Sequence, residues 1–345
     1  MALTRRDLLF SRLKGQFLTE KTDALSAAGG LCGIQAQFYG AAVHALRLRS
    51  DDPDGQTEAM YKSWTIRGTL HLIPRRDLAL YCLRQGDPED VPSTEMYRWM
   101  VSHGYPIDEG RAKRFARMLF GAVADGISSK DALRSLCLRE GMTKAEERHI
   151  FQPWGGMFRH LGQLGLIAWD ASPEKRLIPC APFEAMEADS ALRTLIERYL
   201  THYGPVSLKD ASYFFRLSTR RLRDALEAAA SVRLDVEGQT FYACSAPEEG
   251  AIPACILLAG FDPMLLGYDK TYNPILPPEY LRQVYTMTGI VHPAVLLDGH
   301  IAARWKIEKN TVSVFPFRRL TRRERDAVAE QAEWYFPEKQ ICFTE

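Results

Sequence analysis

Arginine is concentrated on one predicted helix of this 345-residue chain, where guanidinium groups could bind the phosphates of a nucleic acid. The arginines lie on either side of Ser218, the expected helix cap, and are Arg216, Arg220, Arg221 and Arg223. The net charge of the whole chain is only +1, so a polyanion partner can be argued only from such a local cluster. The alternative is an ordinary solvated face, in which Asp224 and Glu227 pair with the arginines.

The cysteine residues do not have the spacing of a metal site. They are seven in number, and the closest two along the chain, Cys244 and Cys255, are too far apart for a Cys-x-x-Cys pair. We therefore expect reduced thiols in the core, and a protein that needs neither a metal ion nor another cofactor.

The composition is that of an ordered protein with more than one core. Apolar residues make up 46% of the chain and charged residues 25%, and there is no low-complexity tract. The apolar run after Arg6 is too short for a signal peptide, and no segment approaches the roughly 18 apolar residues that span a bilayer. We expect a cytoplasmic monomer that does not enter membranes, with two or three domains at about 150 residues each.

Residues 190–243 predict three helices followed by a β-hairpin, which is the order of elements in a winged helix. Ser207 and Ser218 are expected to cap the second and third helices. Alternating residues then form two strands, 233–236 and 239–243, joined by a tight turn. The tip of this wing consists of Glu237, Gly238 and Gln239.

The same order of elements precedes this unit in the chain. Helices are expected at 111–124, 130–139 and 146–164, and a hairpin at 166–169 and 176–178. Both copies carry Ser-x-Lys-Asp-Ala at the start of the second helix, at 128–132 and 207–211. The sequence therefore predicts a tandem repeat of the winged-helix unit.

The first hundred residues resemble a third copy, with helices expected at 4–16, 21–31 and 38–46. Residues 64–72 alternate as a strand, which would place Trp64 inward and Arg67 and His71 outward. A linking helix is expected at 75–84.

After Pro253 the pattern changes to strands. They are expected at 255–259, 294–297, 301–307 and 311–317. Asp298-Gly299 predicts a type I′ turn and 308–310 a longer loop, and a helix at 322–335 closes this region. The predicted domains are 1–104, 105–186, 187–250 and 251–345.

Several motifs together resemble the winged-helix DNA glycosylases, the family that includes the azinomycin-resistance glycosylase of streptomycetes and its YcaQ-type bacterial relatives. The motifs are Gln35-Ala36-Gln37, Trp64-Thr65-Ile66-Arg67-Gly68-Thr69-Leu70-His71-Leu72, Phe261-Asp262-Pro263 with Gly267-Tyr268, and Val295-Leu296-Leu297-Asp298-Gly299 with Trp305. The resemblance covers nearly the whole chain. It implies a mainly α, α+β fold with β-hairpins, in which tandem winged helices form a concave DNA cradle and a small β subdomain follows.

The resemblance also implies that Gln35 and Gln37 lie at the catalytic centre, in the Gln-x-Gln form of a motif that other relatives carry as Gln-x-Asp. Neither glutamine takes a proton at neutral pH, so the general-base catalysis that carboxylate pairs perform is excluded. Two amides can hold a water beneath C1′ of the sugar while the glycosidic bond breaks toward an oxocarbenium ion. Holding the water in this way is sufficient when the base is already a good leaving group.

Alkylation at N7 or N3 gives a purine a positive charge, so that the base departs neutral without an acid. The predicted function is therefore a monofunctional DNA glycosylase that acts on double-stranded DNA carrying cationic alkylpurines, with interstrand cross-links as a further candidate substrate. The alternative for the two glutamines is a solvated turn between two helices. On an extended segment they could point the same way, whereas in a helix they would splay apart.

Two further groups are candidates for DNA contact. Arg67 and His71 could meet a phosphate or the sugar edge of the lesion, although His71 could equally be an ordinary strand histidine with its partners satisfied. The wing tip at 237–239 is expected to probe the opposite strand.

Two other functions remain open on the sequence. Winged helices are common in transcription regulators, which typically dimerise over palindromic sites with one reading helix per subunit. Three copies followed by a β domain fit that arrangement poorly. The third possibility is a scaffold that binds bent or damaged DNA without chemistry.

Overall fold

The computed structural model describes residues 3–271 and 273–344 and divides the chain into two compact units. The terminal unit consists of Met1–Asp54 and Ile196–Glu345, and the central unit is Gly55–Leu195. The predicted first domain, 1–104, includes residues of both units. The division into four domains remains a prediction.

The terminal unit begins with three short helices, as the sequence predicts. Its first elements are α1 Arg5–Gly15, α2 Ala24–Gly30, β1 Ile34–Gln35 and α3 Tyr39–Arg47. Asp23 caps α2 by accepting a hydrogen bond from the backbone nitrogen of Ser26. Phe38 is the N-terminal capping residue of α3, and its side chain makes no hydrogen bond to the backbone of the helix.

The described residues of the central unit contain six complete helices, the first part of a seventh, and an antiparallel sheet. Its elements are β2 Met60–Trp64, β3 Leu70–Pro74, α4 Ala79–Cys82, α5 Glu95–Ser102, α6 Glu109–Ala124, α7 Lys130–Arg139, α8 Lys144–Ile150, α9 Met157–Gln163, β4 Ile167–Asp170 and β5 Leu177–Pro179. Its strands lie in the order β3-β2-β4-β5. The expected cap Ser129 accepts a hydrogen bond from the backbone nitrogen of Ala132, which confirms the start of α7.

Residues 64–72 do not form the single predicted strand. The chain turns between β2 and β3, where Gly68 has a φ of 71°, and the two strands pair with Ser63 opposite His71. Trp64 is buried against Trp169, as predicted. The outward placement of His71 is wrong, because β3 is covered on both faces and alternation then no longer indicates exposure.

The predicted helix at 146–164 is interrupted. Its two parts, α8 and α9, are separated by residues 151–156. This stretch ends at Gly156, whose φ is 54° and where a side chain would collide with the carbonyl oxygen of Ile150. The linking helix expected at 75–84 is shorter than predicted. A 3-10 turn at Arg75–Asp77 precedes α4.

The second part of the terminal unit starts within α10 and contains the predicted helix, helix, helix, hairpin order. The elements are α10 Ala188–Tyr203, β6 Val206–Ser207, α11 Leu208–Phe215, α12 Thr219–Ala229, β7 Val232–Val236 and β8 Gln239–Ala243. Ser207 forms a capping box with Asp210, and Ser218 accepts a hydrogen bond from the nitrogen of Arg221. Both predicted caps are thereby confirmed.

The rest of the terminal unit is a five-stranded sheet closed by a helix. Its elements are β9 Cys255–Leu258, α13 Pro263–Leu266, α14 Leu281–Val284, β10 Ala294–Leu297, β11 His300–Glu308, β12 Thr311–Pro316, α15 Arg322–Tyr335 and β13 Gln340–Phe343. The strand order is β13-β12-β11-β10-β9, and only the β12–β13 pair is parallel among these described strands. Asp298 and Gly299 both have positive φ, as the type I′ turn requires. The predicted longer loop is a two-residue turn at Lys309 and Asn310.

All seven cysteines have free thiols. Cys32, Cys137, Cys180 and Cys255 are buried, as expected of core thiols. Cys342 lies on β13 and is exposed, so the expectation is wrong there.

Candidate active site

Gln35 and Gln37 lie on the short segment that joins α2 to α3. Gln35 is the second residue of β1, between Ile34 and Ala36, which are both fully buried. Because neighbouring residues of an extended segment point to opposite faces, the burial of Ile34 and Ala36 turns Gln35 to the other face. The chain then bends at Gln37, one residue before the N-terminal position of α3.

The two amides have different environments. The side chain of Gln35 is buried, with 8% of the residue exposed, whereas Gln37 is exposed. Within the described residues we find no hydrogen bond from either side-chain amide. Their donors and acceptors are therefore available to a bound molecule, and the segment is neither a regular helix nor an uninterrupted strand.

The Phe261-Asp262-Pro263 motif supports this segment at two places. The ring of Phe261 stacks on the ring of Phe38, with centroids 5.5 Å apart and planes at 19°. The carboxylate of Asp262 accepts hydrogen bonds from Arg49, at 2.7 Å from Nη2 and 3.1 Å from Nη1. Phe38 precedes α3 and Arg49 follows it, so the motif contacts both ends of this helix.

The Gly267-Tyr268 motif holds the chain before β1. Tyr268 Oη donates to the carbonyl oxygen of Tyr203 at 2.9 Å and accepts from Gln16 Nε2 at 2.8 Å. Tyr203 Oη in turn donates to the carbonyl oxygen of Leu31, where α2 ends. A side chain at position 267 would come within 2.3 Å of the Tyr203 ring, so only glycine allows this approach.

Trp305 completes the support from the β sheet. Its Nε1 donates to the carbonyl oxygen of Leu258 at 3.0 Å, and its ring meets that of His44 on α3 edge to face. His44 donates from Nε2 to the carbonyl oxygen of Leu257 at 2.7 Å, and burial lowers its pKa to about 4. His44 is therefore neutral at pH 7. Residues of three motifs that carry the family resemblance thus support the elements on either side of the Gln-x-Gln segment, which are the end of α2 and helix α3.

The arginine cluster of α12 is exposed and without acidic partners. Arg220, Arg221 and Arg223 lie on α12, Arg216 is the C-terminal capping residue of α11, and all four are exposed. Among residues 3–271 and 273–344, none of the four forms an ion pair. The two acidic residues that could have paired with the arginines are Asp224 and Glu227, which lie on the same helix. Glu227 accepts a hydrogen bond from Tyr242. This observation favours phosphate contact over the alternative of an internally neutralised face.

The wing tip is a two-residue turn between β7 and β8. Glu237 and Gly238 have φ values of 52° and 75°, and Gln239 begins β8. Glu237 forms an ion pair with Arg5 of α1, at 2.8 Å between Oε2 and Nε. The tip is therefore tied to the first helix of the chain.

The other two candidates lie in the central unit. Arg67 is half-buried in the β2–β3 turn, where its backbone nitrogen donates to Thr65 Oγ1. His71 is 2% exposed and donates from Nδ1 to the carbonyl oxygen of Thr69 at 2.9 Å. This geometry favours the ordinary strand histidine over a DNA contact, while the role of Arg67 remains a prediction.

The described residues contain no group of three or more His, Cys, Asp or Glu side chains that could hold a metal ion. No helix among the residues described is long and apolar enough to cross a membrane.

Phe38, Phe261 and Arg49 are the residues of this site that sequence reasoning did not assign. The signal for Phe261 was present, because its motif is one of those that carry the resemblance. Arg49 and Phe38 had no local signal, since their importance depends on contacts more than 200 residues away in the chain.

Exposed arginines at one helix and two neutral amides on the supported segment between α2 and α3 are the features expected of a protein that acts on DNA. The model of the family described as DNA glycosylase AlkZ-like matches residues 28–336, and the chain belongs to this family. It is therefore a DNA glycosylase, and DNA is its substrate.

Two proteins of Streptomyces sahachiroi illustrate the likeness. One is named interstrand DNA cross-link repair glycosylase and is 25% identical over 359 aligned positions, which cover 96% of this chain and 95% of that protein. The other is the solved structure of DNA glycosylase AlkZ, with a TM-score of 0.77 at 22% identity over the full length of both chains. The second comparison confirms the mixed α+β fold.

Proposed function

We propose that this glycosylase hydrolyses the N-glycosidic bond of cationic N7- or N3-alkylated purines in double-stranded DNA, with Gln35 and Gln37 at the catalytic centre. The observation that carries the proposal is the pair of amides two residues apart on the segment between α2 and α3, neither of which forms a hydrogen bond within the described residues. Such groups can orient a water and accept its hydrogen bond, but cannot remove its proton at neutral pH. They suit a substrate whose bond is already weakened by positive charge on the base.

The reaction proceeds in this proposal by departure of the neutral base and capture of the sugar cation by water, which then loses a proton to bulk solvent to leave a neutral abasic sugar. The amide oxygens stabilise the developing charge at C1′ and hold the water on the opposite face of the sugar. The arginines of α12 hold the DNA backbone without reading its sequence. The protein acts as a monomer in the cytoplasm, at the nucleoid.

Interstrand cross-links formed through N7 of purines are also substrates in this proposal, because each attachment point carries the same positive charge. The name of the S. sahachiroi relative supports this extension. The wing tip at Glu237, Gly238 and Gln239 contacts the opposite strand of such a substrate, and Arg67 contacts a phosphate.

The test is release of free base from a duplex with a single N7-methylguanine, measured by chromatography in the presence and absence of a metal chelator. We expect release that is unaffected by the chelator, and a product strand with an intact abasic site until alkali cleaves it. Borohydride trapping of a protein–DNA adduct would contradict a hydrolytic mechanism. Absence of free base with a folded protein would remove the proposed substrate.

A further inference from the structure

We propose that Phe38 is a specificity-determining residue whose exposed ring face stacks on the alkylated purine beside Gln37. This inference rests on the proposed function and identifies how its substrate is selected. Among the described residues Phe38 is one of nine exposed large hydrophobic residues, and it directly follows Gln37 in the chain.

Phe38 has one aromatic neighbour among the residues described, and half of the residue is accessible to solvent. Phe261 lies against it at 5.5 Å in a stacked arrangement, yet 50% of Phe38 remains exposed. The exposed half therefore lies away from the Phe261 ring. A planar ligand placed there would extend an existing stack of two rings.

Phe261, the buried ring of this stack, is held rigidly. Phe261 is 7% exposed and has a φ of 57°, a conformation that bulky side chains rarely adopt. Asp262 keeps the backbone in place, because its carboxylate bonds Arg49 and the backbone nitrogen of Met264. Backbone strain that the surroundings enforce is typical of functional sites.

The position of Phe38 is also unfavourable for helix stability. It is the N-terminal capping residue of α3, where Ser, Thr, Asp or Asn would satisfy a backbone N–H group. Phe38 makes no such bond, and it exposes an apolar ring to solvent. Capping of α3 therefore does not explain a phenylalanine here, and the contact with Phe261 accounts only for the covered part of the ring.

The chemistry of the proposed substrate matches an aromatic face. A cationic purine gains both stacking and cation–π attraction on a phenyl ring, and a neutral purine gains only the first. As the bond breaks, the positive charge moves from the base to the sugar. The attraction is therefore strongest before the reaction, so Phe38 contributes to lesion affinity more than to the rate of the chemical step.

The experiment compares Phe38→Leu, Phe38→Ser and Phe38→Trp with the wild type and with Trp334→Leu. Trp334 is a matched control because it is exposed like Phe38 but lies on α15 beside Glu330 and Glu333. Single-turnover excision of N7-methylguanine gives a maximal rate and a half-saturating protein concentration. Fluorescence anisotropy gives the affinities for the lesion duplex and for an unmodified duplex.

We expect the half-saturating concentration to rise about 5- to 100-fold for Phe38→Leu and Phe38→Ser, following the usual range for loss of base stacking. Phe38→Trp and Trp334→Leu should stay within about threefold. The maximal rate should not fall in any variant, because the attraction is strongest before the bond breaks, and the affinity for the unmodified duplex should change little.

Two outcomes would overturn the inference. Unchanged lesion affinity in Phe38→Leu would show that no base lies on the ring. A lower maximal rate at constant affinity would show that Phe38 only positions Gln37. Failure of the proposed function can be distinguished from failure of this inference. In the first case the wild type would release no N7-methylguanine. Anisotropy would still measure whether the wild type prefers lesion DNA and whether Phe38→Leu loses that preference.

Discussion

Arg49 and Asp262, 213 residues apart in the chain, form an ion pair whose side chains are fully buried. Asp262 also caps α13 through the backbone nitrogen of Met264, and Arg49 Nη1 donates to the carbonyl oxygen of Ala45 on α3. The pair therefore connects the helix that follows Gln37 to the motif that supports Phe38. Removing one partner of such a buried ion pair destabilises the folded protein, because the other charge then stays buried without a partner.

We predict that Asp262→Asn lowers the free energy of unfolding by about 3–5 kcal/mol, because it leaves the Arg49 guanidinium buried without a counter-charge. Arg49→Met should have a similar effect. In the double variant the free energy of unfolding should fall by less than the sum of the two single losses, since no unpaired charge remains buried. Urea denaturation of the four proteins gives the coupling energy, and additive losses would show that the two charges do not interact.

The second prediction concerns the arginines of α12. Replacing Arg220 and Arg223 with alanine should weaken binding to any duplex and lower the slope of log K against log salt by roughly 0.9 for each phosphate that is no longer neutralised. Arg322→Ala is the control, because Arg322 is exposed on α15 but pairs with Asp326. Binding titrations at several salt concentrations measure the slope. An equal slope in the double variant and the wild type would place the DNA elsewhere.

The wing tip gives a third prediction that depends on the substrate. Changing Glu237 and Gln239 to glycine should reduce excision from a cross-linked duplex more than excision of N7-methylguanine, because only the former requires access to both strands. Arg5→Ala is the control for the ion pair with Glu237. It should leave both reactions nearly unchanged, since exposed pairs contribute little to stability. Equal losses on the two substrates would remove the strand-probing role.

Local signals predicted most helices and hairpins, but not the contacts that support the site. Ser129, Ser207 and Ser218 mark helix starts by their own hydrogen bonds, which depend only on residues nearby in the chain. The turn at Gly68 was missed because alternation of apolar residues continues through it. Pairs such as Arg49 with Asp262 arise only from tertiary packing, so no local pattern predicts them.

A fourth prediction follows from two histidines buried in the central unit. His149 donates from Nδ1 to the carbonyl oxygen of Tyr105, and its Nε2 lies 3.1 Å from Nε2 of His160. Burial lowers the pKa of His160 to about 3 and that of His149 below its ordinary value of 6.5. Both are thus neutral in the folded protein at a pH where the unfolded chain protonates them.

Because the unfolded state binds more protons, this contribution to stability is complete above pH 6.5 and decreases as the pH falls toward 3. The decrease approaches about 1.4 kcal/mol per pH unit for His160, and His149 adds to it in the same direction. A His149→Asn/His160→Asn variant should be less stable at pH 7.5 but should lose less stability on acidification to pH 5. Urea denaturation at the two pH values measures this difference, and parallel pH profiles would contradict it.

The last prediction concerns the two glutamines, whose unequal burial allows chemistry and stability to be separated. Gln37 is exposed, so Gln37→Ala should leave the melting temperature unchanged while lowering single-turnover release of N7-methylguanine by about ten- to a thousandfold, the range for losing one polar group that stabilises a transition state. Gln35→Ala should slow release similarly but also lower the melting temperature, because it empties space beside buried Ile34 and Ala36.

The double variant should lose much less activity than the product of the two effects, since two amides that hold one water act as a unit. Gln37→Asp should retain activity, because a carboxylate can stabilise the sugar cation and accept a proton. Wild-type release by a folded Gln35→Ala/Gln37→Ala protein would show that the reaction occurs without these amides.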